Sequence, residues 1–503
     1  MPLPPALMLQ GTGSSVGKSL IVAGLCRLYS QRGMNVRPFK PQNMSNNAAV
    51  AVDGGEIGRA QALQARAAGT PTSVHMNPVL LKPEAGGGSQ IIVQGSRRHS
   101  LSAREYIKKK SQLMTPVLQS LELLGTQADL IIAEGAGSPA EINLRTGDIA
   151  NMGFAIATGL PVVLIGDIDR GGVIASLVGT HEVLDPGDRE MVRGFIINKF
   201  RGDISLFDDG IREIQNRTGW PCLGIVPYFN EASHLPLEDS ADLTNALMSN
   251  GSHRHTRTRQ TVKIAVPRLP RIANFDDLDP LRLEPSVELS LVESGEPLPG
   301  DSDLILIAGS KSTIDDLEAL RTNGWDIDIL AHHRRYGMVL GICGGYQMLG
   351  RTIDDPGGLE GPARTCNGLG LLDVVTSMQG QKQVRLVEAE HSQTGLNVTG
   401  YEIHLGHTSG TDCARPMFNI AGRQEGSISK DGLVMGTQLH GIFASDEFRS
   451  AFLKQFGSAG RSYFAYENEI DSTLDQLAEH LQKHLDVDLI LEIAAQKINA
   501  SNA

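Results

Sequence analysis

The chain has 503 residues, which at about 100–200 residues per domain predicts two to four domains. Its residues are 41% hydrophobic and 20% charged, so large cores can form and wholesale disorder is excluded. Lys and Arg number 45 against 57 Asp and Glu, a net charge of −12 that argues against a nucleic-acid coat or a polybasic membrane binder, though not against an anionic small substrate in a local basic pocket.

The first predicted element is a strand over 6–10, followed by a Gly-rich turn and a helix over 20–32. Further strands are predicted at 36–40, 129–134, 161–167, 192–198 and 222–227. The runs at 129–134, 161–167 and 192–198 are apolar and do not alternate, the pattern of strands buried on both faces of a parallel sheet. Ligands of such sheets bind at the carboxyl ends of the strands. Residues 250–261 are polar, basic and poor in apolar side chains, and read as an exposed linker that includes His253 and His255. A second alternation runs from 262–266 through 304–308 and 338–342 to 434–439. From about residue 471, Leu474, Leu477, Leu481 and Leu485 have the spacing of an amphipathic helix. The expected fold class is α/β: two doubly wound, mainly parallel-sheet domains at 1–235 and 261–450, a linker at 236–260, and a C-terminal helical segment at 451–503.

The segment after the first strand, Gln10-Gly11-Thr12-Gly13-Ser14-Ser15-Val16-Gly17-Lys18-Ser19, is a phosphate loop in the right context, between strand and helix. Backbone N–H groups around Gly11, Thr12, Gly13 and Gly17 can face phosphate oxygens. Lys18 would sit on the β/γ-phosphates of ATP, and Ser19 would offer its hydroxyl to Mg²⁺. The standard spacing needs Gly at position 12; here the first Gly is Gly11, which makes the loop one residue longer.

Five cysteines, at 26, 222, 343, 366 and 413, form no C-x-x-C pair. Structural zinc, iron–sulfur clusters and a disulfide framework are therefore disfavoured, and a reducing cytoplasm is expected. Residues 1–10 lack the basic start of a signal peptide, and no apolar run approaches the roughly 18 residues of a membrane span. One cysteine differs from the rest. Gly341-Ile342-Cys343-Gly344-Gly345 joins a strand to a helix, the nucleophile-elbow layout with Cys in place of Ser. The helix N-terminus favours the thiolate, and the Gly344 N–H is positioned for an oxyanion hole. Cys26, Cys222, Cys366 and Cys413 read as small hydrophobes. His440, at the end of the last apolar strand, is the candidate base. His332, His333, His404 and His407 have no metal-ligand spacing.

The lengthened loop resembles that of the dethiobiotin synthetase family, P-loop enzymes that activate a carboxylate with ATP. The resemblance extends to Lys40 in Phe39-Lys40-Pro41, as a second phosphate-facing lysine. It also implies Asp53 and Glu134 as Mg²⁺ ligands, although Asp53 reads almost equally as a loop cap. Asn198, before Lys199, is similar to the base-reading Asn of related nucleotide folds, or is a turn residue. Cys343 with His440 resembles class I glutamine amidotransferase domains, and Gly309 and Ser310 are similar to the loop that gives their second oxyanion N–H. Those domains carry Glu two residues after the His, where this chain has Ile442. Glu402 is the candidate substitute, and a Cys–His dyad is the favoured reading.

Residues 38–48 (Pro-Phe-Lys-Pro-Gln-Asn-Met-Ser-Asn-Asn-Ala), with 53–61, 269–275 and 400–404, resemble the cobyric acid synthase family, and the likeness covers almost the whole chain. It implies a corrinoid substrate of cobalamin biosynthesis, adenosylcobyrinic acid a,c-diamide. Its b, d, e and g carboxylates would be amidated with one ATP and one glutamine each. Gln42, Asn43, Asn46 and Asn47 would read amide side chains of the corrinoid or cap turns, and Arg59 and Arg170 would pair with its carboxylates. Ammonium is not nucleophilic at pH 7, so a shielded path between the sites is expected. Alternative readings are the a,c-diamide synthase of the same pathway or another glutamine amidoligase, and, from a different class, a P-loop switch ATPase with an inactive glutaminase domain. A switch would not need both Cys343 and His440.

Overall fold

The computed structural model describes residues 3–84, 87–236, 238, 261–457 and 464–496. The expected linker lies almost wholly outside the described residues, as do His253 and His255. Six parallel strands form the first sheet, in spatial order Cys222–Pro227, Val192–Phe200, Val162–Asp167, Ala6–Gly11, Leu130–Glu134 and Val36–Phe39. Its central strands are buried at every position, as helices on both faces require. The strand order reverses around Ala6–Gly11, so a crevice opens at its carboxyl end, where the phosphate loop leaves for the helix Lys18–Gln31.

The second sheet runs Val287–Val292, Val262–Pro267, Leu304–Ile307, Met338–Ile342 and Val434–Thr437 in parallel, with Ser427–Ile428 as an antiparallel edge. The fold is therefore the expected pair of α/β domains. Mostly antiparallel strands between residues 352 and 440 add two smaller sheets to the second domain. In one of them Asn397–His404 pairs with Leu439–His440, which sets Tyr401 opposite His440.

A four-stranded sheet that the sequence reading did not register joins the two domains. It consists of Gln42–Met44, Val79–Pro83, Gly88–Val93 and Ser96–Ser102. Successive side chains on a strand point to opposite faces. Val79, Leu81, Ile91 and Val93 accordingly enter the core of the first domain, whereas Leu80 and Ile92 pack with Tyr401 and Ile403 of the second. Both faces are covered, which hides the polar alternation that usually betrays such strands.

The C-terminal segment returns to the first domain. The helix Tyr466–His484 buries Leu474, Leu477 and Leu481 against the helix Lys18–Gln31. At about 1.5–3 kcal/mol for each buried leucine, this contact stabilises the back of the phosphate-loop helix. Gly24 permits the approach: a Cβ there would lie 2.5 Å from Leu481 Cδ1. Arg27 pairs with Asp475 at 2.6 Å, and the Tyr29 hydroxyl donates to the Val487 carbonyl at 2.6 Å.

Candidate active site

The phosphate loop opens into a cavity of 1520 Å³, above the roughly 300–1,000 Å³ of most small-molecule sites and large enough for two ligands. Ser14, Ser15, Gly17, Lys18 and Ser19 line it. Lys18 is buried and donates to the carbonyls of Gly13 at 3.0 Å and Gly137 at 3.1 Å, so it lies across the loop. Burial pushes its pKa down, opposed by Glu134. Gly11 lies beneath the loop; a Cβ there would meet Lys18 Nζ at 2.9 Å. The Thr12 N–H is bonded to the Ile165 carbonyl at 3.0 Å.

Lys40 and Glu134 meet beside the loop. Lys40 Nζ lies 2.9 Å from Glu134 Oε1, and the Ser19 hydroxyl donates to the same oxygen at 2.8 Å. Burial alone would lower the pKa of Lys40; Glu134 and Glu238 hold it above the usual lysine range. The sequence reading missed two partners here. Gln64 Nε2 donates to Glu134 Oε2 at 2.7 Å, and Glu238 accepts from Ser19 at 2.6 Å and from Lys40 at 3.2 Å. No motif marks either residue.

Asp53 is a correction. Its carboxylate accepts from the Ser73 hydroxyl at 2.7 Å and the Val74 N–H at 3.1 Å, and it does not line the cavity. The loop-cap reading holds, because Asp53 closes the turn before a short 3₁₀ segment. Asn198 is buried, and its Nδ2 donates to the Val16 carbonyl at 2.8 Å, bracing the loop from behind. Arg59 is a second correction. It lies across the domain junction, 2.7 Å from Asp276 and over the Tyr401 ring, with no charge left for a ligand. Arg170 does line the cavity and is largely exposed. Gln42 and Asn43 line it too, whereas Asn46 lines a different pocket and Asn47 lines neither.

That other pocket contains Cys343. The strand Met338–Ile342 ends at Cys343, whose φ of 53° and ψ of −108° are strained for a residue with a Cβ. Its N–H is bonded to the Thr437 carbonyl at 2.7 Å. Gly345 admits this turn, since a Cβ there would overlap the Ile307 carbonyl. A Cβ on Gly344 would stand 2.8 Å from the Ser310 backbone nitrogen, and one on Gly309 would stand 3.1 Å from the His440 ring. The elbow, the Gly309–Ser310 loop and His440 therefore converge.

His440 is fully buried, and its Nδ1 lies 2.7 Å from Asp277 Oδ2. The other oxygen of Asp277 accepts from the Gly441 N–H at 2.6 Å. Burial opposes the imidazolium, but Asp277 and then Cys343 outweigh it and push the histidine up to about 10. The Tyr401 ring stacks on the imidazole at 5.1 Å, and the Tyr401 hydroxyl is held 3.0 Å from Asp276.

The dyad reading is overturned: a carboxylate does orient His440. It is not Glu402, which is fully buried and held by Arg385 at 2.5 Å and Arg423 at 2.8 Å, with its pKa down at about 2. Asp277 follows the quoted stretch at 269–275 by two residues, in Asn274-Phe275-Asp276-Asp277, 163 positions before His440. The signal was present in that acidic pair, but nothing local tied it to the histidine. Among the described residues, no group of three or more His, Cys, Asp or Glu is placed to hold a metal ion, and no helix is long and apolar enough to cross a membrane.

Residues 7–242 match the CobQ/CobB/MinD/ParA nucleotide binding domain, and residues 263–448 match the CobB/CobQ-like glutamine amidotransferase domain. Over 96% of this chain and 98% of its own length, the cobyric acid synthase of Rhizobium etli is 59% identical. That of Methylobacterium nodulans is 58% identical over 97% of this chain and 99% of its own, and that of Brucella suis 57% over 97% and 99%. The chain belongs to the cobyric acid synthase family. It is thus an enzyme, a glutamine-dependent amidoligase with a nucleotide-binding domain.

Proposed function

We propose that the enzyme converts the b, d, e and g carboxylates of adenosylcobyrinic acid a,c-diamide to carboxamides, with glutamine as nitrogen donor and ATP as activator. The single observation that carries this is the pairing of two sites on one chain: a Cys343–His440–Asp277 array and a phosphate-loop cavity of 1520 Å³. We place the chemistry in the cytoplasm, where its free cysteines fit a reducing milieu.

In the second domain, Cys343 attacks the carboxamide carbon of glutamine. The N–H groups of Gly344 and Ser310 receive the developing oxyanion. His440 Nε2 gives its proton to the departing ammonia and then takes one from water, which releases glutamate. Asp277 fixes the tautomer by accepting from Nδ1, and it stabilises the imidazolium. In the first domain, a substrate carboxylate oxygen attacks the γ-phosphorus, and the bond to the departing ADP oxygen breaks. Lys18 and Lys40 balance the charge. Ammonia then displaces phosphate from the acyl phosphate. The hard oxygens of Ser19 and Glu134, 2.8 Å apart beside the loop, suit Mg²⁺, which when bound would neutralise phosphate charge. Arg170, Gln42 and Asn43 are the side chains we assign to the corrinoid.

Mass spectrometry of the corrinoid after incubation with ATP, Mg²⁺ and glutamine tests the assignment. Four successive carboxyl-to-amide conversions are expected from the a,c-diamide. No amidated product with glutamine or with ammonia would sink the reading, and conversion of the undecorated diacid instead would favour the a,c-diamide synthase.

A further inference from the structure

His440 takes its support from both domains. Asp277 belongs to the second domain, but the Tyr401 ring stacked on the imidazole is itself held from the first. The two rings lie nearly parallel, with 12° between their planes. Ala48, Val50, Leu80 and Ile92 of the first domain share one apolar cluster with Tyr401. The Tyr401 hydroxyl accepts from Arg59 Nη2 at 2.8 Å and donates to Asp276 at 3.0 Å, so both of its bonding roles are filled at the junction.

Arg59 opens the helix Arg59–Ala67 of the first domain. Its Nη2 lies 2.7 Å from Asp276 Oδ2 and donates to the Ala48 carbonyl at 2.9 Å, and its guanidinium carbon stands 5.3 Å from the centre of the Tyr401 ring. One planar group thus engages a carboxylate, a hydroxyl and a ring face together, which the point charge of a lysine does not. The side chains of Arg59 and Asp276 keep only 16% and 10% of their exposure, so solvent and salt screen the pair weakly. Ala48 ties the junction a second time. Its N–H donates to Asn274 Oδ1 at 3.3 Å, and Asn274 Nδ2 lies 3.4 Å from His440 Nε2.

The charges call for this arginine as well. Asp276 and Asp277 are adjacent carboxylates in a poorly hydrated place, where like charges disfavour each other. Burial pushes the Asp276 carboxyl up, Arg59 opposes that, and Asp277 adds to it. With Arg59 on Asp276, Asp277 is left to His440 and the Gly441 N–H. Arg59, Asp276 and Tyr401 do not line the pocket of Cys343, so their influence on glutamine passes through His440.

We propose that Arg59 of the nucleotide-binding domain is a positioning residue for glutamine hydrolysis: it fixes Asp276 and the Tyr401 hydroxyl, and through them the plane of the His440 ring. This rests on the Cys343–His440 assignment given above. The hydrolytic array of the second domain is then complete only with the first domain docked against it.

The test uses the full chain with Arg59→Met, Arg59→Lys, Tyr401→Phe, and Arg59→Met combined with Tyr401→Phe. Glutamine hydrolysis gives kcat and KM, and each variant's synthesis from ammonium chloride serves as its reference for an intact fold and nucleotide site. Arg59→Met should lower kcat about 10–100-fold, the scale of a catalytic group displaced by up to about 1 Å, with KM within about twofold of wild type. Arg59→Lys should recover part of that loss by returning a charge to Asp276. Tyr401→Phe keeps the ring and loses its tether, so kcat should fall in the same way. The combined variant should be little slower than the slower single one, because both changes cut one chain of contacts. A wild-type kcat in Arg59→Met, a loss confined to KM, a matching loss of ammonia-driven synthesis, or fully additive losses in the combined variant each overturns the proposal. Should Arg59→Met not fold, Tyr401→Phe decides, and an unchanged kcat there overturns it. Hydrolysis that persists in Cys343→Ala sinks the assignment of the site instead, and the two failures are distinct.

Discussion

The phosphate loop and the cysteine pocket sit at the carboxyl ends of similar parallel sheets, yet they are assembled in opposite ways. The loop takes Ser14 to Ser19 from one unbroken stretch and faces a cavity of 1520 Å³. The cysteine pocket draws Cys343, His440 and Asp277 from three distant segments and closes with residues of the other domain down to 40 Å³. Anion binding needs backbone N–H groups in one turn, which a short sequence can specify. Activation of a thiol needs charges at set angles around it, which only tertiary structure supplies.

That contrast is broken most sharply by removing one member from each site. Lys18→Ala should abolish amide formation with either nitrogen source, because the γ-phosphate charge then goes unbalanced. Cys343→Ala should lower glutamine-dependent synthesis by on the order of 10⁶, the scale for loss of a nucleophile, and leave synthesis from ammonia in place. Parallel assays with glutamine and ammonium chloride read both. Glutaminase activity retained in Cys343→Ala would falsify the assignment of the elbow.

The next effect isolates the carboxylate that the sequence reading misplaced. Asp277→Asn keeps the shape of the site but offers Nδ1 the wrong partner, and it should slow glutamine hydrolysis by about 10²–10⁴ while sparing ammonia-driven synthesis. Glu402→Gln should change that hydrolysis less than about tenfold. It should cost about 1–2 kcal/mol of stability in denaturant unfolding, through weaker bonds to Arg385 and Arg423. Reversed magnitudes for these two variants would return the orienting role to Glu402.

The same contrast sets what was legible. The first sheet and the inner strands of the second followed from uninterrupted apolar runs, whereas its edge strands Val287–Val292 and Ser427–Ile428 did not; Lys40, Glu134, Cys343 and His440 lie at or just past strand ends. Asp277 did not follow, because no periodicity links residue 277 to residue 440. Arg59 looked like a ligand group, since a conspicuous cation near a binding motif gives no sign that Asp276 of the other domain already pairs with it. Asp53 was drawn toward a metal by its place in the resemblance, when Ser73 and Val74 had the prior claim on its oxygens. The tail's leucines announced a helix, but only Gly24 on the phosphate-loop helix reveals where that helix docks.

The smallest expected effect is on stability against pH, and it reads the charge on His440 directly. The imidazole is raised from an ordinary value of 6.5 to about 10 in the folded protein. Burial opposes this shift and Asp277 drives it. A group whose folded pKa is raised binds its proton more tightly folded than unfolded, so its stabilising contribution is complete below pH 6.5 and fades as pH rises toward 10. In Asp277→Asn the driving carboxylate is gone while the burial remains, so the variant loses this contribution. The gap in melting temperature between wild type and Asp277→Asn should therefore be widest near pH 6 and narrow progressively up to pH 10, in thermal melts at constant ionic strength. A gap of constant width across that range would mean that His440 is neutral in the resting enzyme, with Asp277 acting only as a hydrogen-bond acceptor to Nδ1–H.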